Sequence, residues 1–94
     1  MSTLVQDPLL TPAQLSKLQW RCRRGLLEND LFIERFFKAH AQELTVSQAE
    51  GLADLMDLSD NDLLDLLLQR KAPEGHLAEE PALGVLHLLI NAGR

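Results

Sequence analysis

The chain has 94 residues, 46% of them hydrophobic, which is enough for one folded core and too little for two. Its formal charge is −5, which argues against an extensive phosphate-backbone footprint, and its single cysteine excludes an internal disulfide. No apolar run approaches the roughly 18 residues that cross a bilayer, and the amino terminus lacks the pattern of a signal peptide or organellar presequence, so the expected address is cytoplasmic.

Twenty-two leucines stand against five valines and isoleucines together, a choice that favours helices over strands. The expected fold is therefore all-α: a flexible segment over 1–10, then one compact five-helix domain over 11–94. The first helix is predicted over Pro12–Arg24. Thr11 can cap it, Pro12 suits its first position, Gln14 completes a capping box, and Leu15, Leu18 and Cys22 follow at helical spacing before Gly25 stops it. Asp30 offers the cap of a second helix that can reach back toward Glu28, with Ile33, Phe36, Phe37 and His40 on one face as core.

"TVSQAE" holds two overlapping capping boxes, Thr45 with Gln48 or Ser47 with Glu50, ahead of the stripe Ala49, Leu52, Ala53, Met56. Ser59 with Asp62 caps a fourth helix whose apolar side is Leu63, Leu66 and Leu67, ending in Arg70 where a cation suits the helix dipole. "KAPEGH" interrupts the pattern. Pro81 then fits the first turn of a last helix carrying Leu83, Leu86, Leu89 and Ile90.

Charge is unevenly distributed. Lys17, Arg21, Arg23 and Arg24 lie in a stretch without an acid, whereas Glu43, Glu50, Asp54, Asp57, Asp60, Asp62 and Asp65 occupy a region without a lysine or arginine. The acidic run lacks the glycine and terminal glutamate of a calcium loop and reads as caps and solvated surface. His40, His76, His87 and Cys22 show no short ligand spacing, and Cys22 has no histidine in a recognisable activating arrangement, so neither a metal site nor a catalytic thiol is expected. Glycine-rich phosphate loops and dinucleotide fingerprints are absent, so no cofactor is expected to be stably bound.

The stretch "RCRRGLLEND" is the richest in possible chemistry. Forked guanidinium groups on Arg21, Arg23 and Arg24 can pair with carboxylates, Gly25 permits close backbone approach, and Glu28 can accept from an arginine or a partner's donor. Physics alone leaves three readings open: a protein-docking surface, a solvated helix terminus and a nucleic-acid contact.

The same residues carry a resemblance. "WRCRRGLLENDL", Trp20 to Leu31, resembles the small bacterial and mitochondrial assembly-factor family that promotes covalent attachment of FAD to the flavoprotein subunit of succinate dehydrogenase. Arg24, Gly25 and Glu28 match its Arg-Gly-x-x-Glu motif, and "RFFKAHAQEL" and "LADLMDLSDNDLLDLLL" extend the likeness over roughly residues 15 to 90. Family members commonly carry tryptophan where this chain has Leu66, and their carboxyl tails are often longer, so contacts made there are not carried over.

The resemblance implies a helical chaperone rather than an enzyme; five short amphipathic segments, with no cysteine pair and no long heptad seam, lead us to expect a monomer when free. Its partner would be the flavoprotein subunit, with fumarate reductase as a second candidate client. The client's own histidine would bond to the flavin's 8α carbon, and the chaperone would hold histidine and flavin in register, where a misplacement of about 1 Å can cost on the order of 100-fold in rate. The partner-binding set is then Arg23, Arg24, Gly25, Glu28 and Asp30. Two other classes compete with this reading: a small RNA-binding or toxin-regulating protein using the Arg21–Arg24 cluster, which would weaken steeply with salt, and a redox enzyme, which would depend on Cys22.

Overall fold

Short polar caps set the starts of three helices. The computed structural model describes residues 7–23 and 26–93. Helix α1 (Pro12–Arg21) opens on a complete capping box: the Gln14 N–H donates to the Thr11 hydroxyl at 3.2 Å, and the Thr11 N–H donates to the Gln14 side-chain oxygen at 2.9 Å. Helix α2 (Leu27–His40) has no side-chain cap, whereas α3 (Val46–Met56) repeats the reciprocal box with Thr45 and Gln48. The choice between the two boxes in "TVSQAE" thus falls to the earlier one. Ser59 caps α4 (Asp60–Leu67) through the Asp62 N–H at 3.2 Å. For α5 (Ala82–Ala92), Pro81 stands just before the helix and the Glu80 carboxylate accepts from the Gly84 N–H at 3.0 Å.

Among the described residues these five α-helices are joined by two short 3-10 turns, Ala41–Glu43 and Gly75–Ala78, neither of which the sequence pattern anticipates. The domain is all-α, with one isolated antiparallel bridge between Leu9 and Thr45. Further bonds accompany that bridge. The Leu10 N–H donates to the Leu44 carbonyl at 3.0 Å, the Val46 N–H to the Pro8 carbonyl at 2.9 Å, and the Ser47 N–H to the Asp7 carboxylate at 3.0 Å. Residues 7–10, the described part of the segment 1–10, thus lie alongside the start of α3; residues 1–6 lie outside the described residues.

Three helix ends depart from the sequence pattern for identifiable reasons. The first helix stops at Arg21, not Arg24, because Cys22 becomes its cap and turns fully into the core. Asp30 is not a cap: the second helix starts at Leu27, and the Asp30 N–H already closes a helical bond to the Leu26 carbonyl at 3.0 Å. Arg70 lies outside the fourth helix, beyond Gln69, which adopts φ 60°.

The Gln69 N–H reaches the Leu66 carbonyl at 3.1 Å and the Arg70 N–H reaches the Asp65 carbonyl at 2.8 Å, the paired bonds of a Schellman ending. Where such an ending usually adds an apolar contact, this one adds an ion pair, Arg70 to Asp65 at 2.8 Å.

The core is built mainly from leucine and phenylalanine. Phe36 of α2, Leu52 and Leu55 of α3, Leu63 of α4 and Leu86 and Leu89 of α5 are fully buried, and Phe36 meets Phe37 edge-to-face with centroids 5.4 Å apart. The most extensive helix contact joins α3 to α5, and Gly51 makes it possible. A Cβ there would stand 2.8 Å from the Pro81 carbonyl carbon and oxygen and 2.9 Å from the Ala82 nitrogen. Helix α2 lies against α5 and α4, while α1 touches the remainder sparsely, with Leu18 its one buried residue.

Candidate partner-binding site

The junction between α1 and α2 collects the residues with chemistry to offer. On the α1 side, Arg23 is exposed and its guanidinium carbon sits 5.2 Å from the centre of the Trp20 ring, a cation–π arrangement that presents both groups to solvent. Arg21 is directed elsewhere, 3.8 Å from the Asp57 carboxylate across the α1–α3 gap. The sequence cluster of three arginines is therefore divided. Arg24 and Gly25, two members of the Arg-Gly-x-x-Glu motif, lie outside the described residues.

Helix α2 separates the two remaining candidates. Glu28 is exposed in its first turn, and Asp30, two residues on, lies about 200° around the helix axis and is half-buried. Asp30 faces the groove between α1 and α2 together with Arg23, whereas Glu28 stands on the side of Phe32 and Arg35, toward the end of α5. There the Arg35 guanidinium donates to the Gly93 carbonyl at 3.0 Å, and Phe32 covers the Cα of Gly93 so closely that any side chain at that position would collide with the ring. Arg23 and Asp30 thus share one surface, and Glu28 borders the next.

Between Glu28 and Asp30 comes a residue the sequence reading passed over. Asn29 is completely buried; its side-chain amide donates to the Asp60 carbonyl at 3.0 Å, joining the first turn of α2 to the first residue of α4, and its side-chain oxygen is buried without a partner among the described residues. The signal was present as spacing: Asn29, Ile33 and Phe36 fall at i, i+4 and i+7 on the buried face. Starting the helix at Asp30 hid it.

Exposed apolar groups gather at this same end. Trp20 is 72% exposed, Leu27 68% and Leu31 41%, and the two leucines are one helical turn apart on the solvent face of α2. The intervening groove has a volume of about 670 Å³ and is floored by Cys22, Ile33 and Phe37. Cys22 is fully buried, as a structural residue would be. The histidines are dispersed: His40 packs half-buried beside Phe36, with ring centroids 5.4 Å apart, while His76 and His87 are exposed. Among the described residues no three His, Cys, Asp or Glu side chains cluster to hold a metal ion, and no helix is long and apolar enough to cross a membrane.

A second, smaller groove of about 320 Å³ lies between the end of α4 and α5, with Leu66 at its floor. Leu66 is buried to 4% exposure, so the position where the resemblance commonly places tryptophan is filled here by a core leucine.

Comparison with known proteins shows the family of the chain. Residues 16–87 match the model of the Sdh5 family, described as the flavinator of succinate dehydrogenase, a span that contains the α1–α2 junction and every helix after it in whole or in part. A protein of Ralstonia nicotianae named FAD assembly factor SdhE is 50% identical over 78 residues, 83% of this chain and 82% of its own. Proteins of the same name from Coxiella burnetii and Methylococcus capsulatus are 40% identical over 63 residues, covering 67% and 77% of the two chains, and 34% identical over 80 residues, covering 85% and 90%. No solved structure matches the chain.

Proposed function

The chain belongs to the family described as the flavinator of succinate dehydrogenase, and on that premise we propose that it is an assembly chaperone that binds the flavoprotein subunit of succinate dehydrogenase and promotes covalent attachment of FAD there. The observation that carries this reading is the family match over residues 16–87, which runs through a junction where Trp20, Arg23, Glu28 and Leu31 all face solvent on a folded helical support. Apolar and arginine side chains displayed together have the composition of a protein-binding surface.

On this reading the chaperone has no turnover of its own. FAD would be the substrate of the attachment reaction and would be held by the client, whose own histidine would be the point of attachment. The contribution of this chain is to hold client segments in place, so that histidine and flavin meet in a reactive geometry. Arg24, Gly25 and Glu28 are the proposed centre of contact: arginine for a charge-assisted bond, glycine for close backbone approach, glutamate to orient the arginine or accept from the client. Arg23 and Asp30 flank it. The protein acts as a monomer in the cytoplasm, and fumarate reductase, a related client, is served through the same surface.

Coexpression with the flavoprotein subunit tests the proposal. The expected result is a complex isolable by affinity purification and a rise in flavin fluorescence that stays with the client on a denaturing gel. Absence of both, with a folded chaperone and a soluble client, overturns it.

A further inference from the structure

We propose that the groove between α1 and α2 is an anchor pocket that receives an apolar side chain of the client flavoprotein, with Arg23, stacked on Trp20, at its rim. The inference rests on the chaperone reading above and adds a second point of contact to the Arg-Gly-x-x-Glu motif. Its floor is apolar, made by Cys22, Ile33 and Phe37, and its volume of about 670 Å³ accommodates large side chains.

Charge at the rim decides the class of occupant. Arg23 and Lys38 contribute two cations, and Asp30 and Glu34 two anions, so the rim is formally neutral. Nucleic acid and anionic lipid are recognised by an excess of cations, which this groove does not have. An apolar floor inside a rim of mixed charge is the anatomy of a protein interface.

Placement selects the client over other proteins. The groove begins at the residues that lead into the motif, and its lining residues Glu34 and Lys38 lie about one to three turns along α2 from the exposed Leu27 and Leu31. Trp20, Leu27 and Leu31 are among the most exposed large apolar groups of the described residues, and all three border this one junction. Trp and Arg are also the side chains most often found to dominate binding energy, and here they are already stacked before a partner arrives. Sparse packing of α1 against the rest of the domain leaves the groove open.

Exposed positions allow a test that spares the core. Trp20→Ala removes the ring that holds the rim residue Arg23 in place, and Gln19→Trp, at the groove itself, fills the space from the rim. Each is measured beside Glu28→Ala by titration against the flavoprotein subunit and by covalent flavin yield. A photo-crosslinking residue at position 19 identifies what enters the groove. The expected result is a loss of client affinity of about tenfold or more for both groove variants, with unchanged helical circular dichroism, and a cross-link to an apolar segment of the client.

Full client affinity in both groove variants, alongside a weakened Glu28→Ala, overturns the pocket and leaves the chaperone reading standing. A wild-type chain that binds no flavoprotein overturns that reading and the pocket with it. Cross-linking from position 19 only to a second copy of the chain, or binding to phosphatidylglycerol vesicles that Gln19→Trp abolishes while client affinity is retained, also overturns the pocket.

Discussion

The α3–α5 contact and the α1–α2 junction are built from similar leucine-rich sequence and serve opposite ends. In the first, Gly51 lets two helices approach until backbone meets backbone, and Leu52, Leu55, Leu86 and Leu89 are withdrawn from water. In the second, α1 is held chiefly by Leu18 and by Cys22 just beyond its end, while Trp20, Leu27 and Leu31 remain in solvent. A fold needs only part of its apolar surface to hold together. What it leaves uncovered in one place, beside arginines and acids, is available for a partner.

Substitutions that separate stability from binding put this contrast to the test. The largest stability effect is expected at Phe36, fully buried where α2 meets the rest of the core: Phe36→Ala should destabilise by about 3–5 kcal/mol in urea unfolding. Next comes Gly51→Ala, whose added methyl meets the backbone at Pro81 and Ala82 and should cost about 1–3 kcal/mol. A Gly51→Ala chain as stable as wild type would show that α3 and α5 can separate without penalty, and the contrast would lose one side.

On the other side, Glu28→Ala should leave the unfolding midpoint unmoved and lower affinity for the flavoprotein subunit by about tenfold or more, read by calorimetric titration. A fall in stability with unchanged affinity would place Glu28 with the core and not with the partner. Gln69→Gly should instead stabilise, by about 0.5–1 kcal/mol in the same urea assay, because φ 60° is strained for any side chain and natural for glycine.

The smallest effect concerns Asp7. Its carboxyl is held below the ordinary carboxylate value, chiefly by the Ser47 backbone N–H and then by the Thr45 side chain. A depressed folded pKa contributes stability above the unfolded pKa that is lost as pH falls through the folded one. Protection of the Ser47 amide from hydrogen exchange should therefore weaken as pH drops below the usual carboxylate range. In Asp7→Asn that loss should disappear.

How much of this was legible beforehand depended on whether the determinant was local. Thr11 with Gln14, Thr45 with Gln48 and Ser59 with Asp62 are contacts three residues apart, and each helix they cap begins where the sequence places it. Helix α2 has no such cap, and its start is governed by burial of Asn29, Ile33 and Phe36, which involves α4 and α5. The bridge from Leu9 to Thr45 and the Arg35 bond to Gly93 join residues 36 and 58 positions apart by subtraction, beyond the reach of any short pattern. At the site, the motif letters were readable. The division of Arg21 from Arg23, and of Glu28 from Asp30, came only with the helix phase.

The bond from Asn29 to Asp60 has a mechanical consequence. A load applied at Glu28 by a docked partner passes through one peptide unit to Asn29, and from its side-chain amide into the main chain at the start of α4. Because that acceptor is backbone, the strut does not slacken with rotation of a neighbouring side chain. The exposed first turn of α2 is thereby braced against the domain, and a partner that grips it meets a rigid lever rather than a hinge.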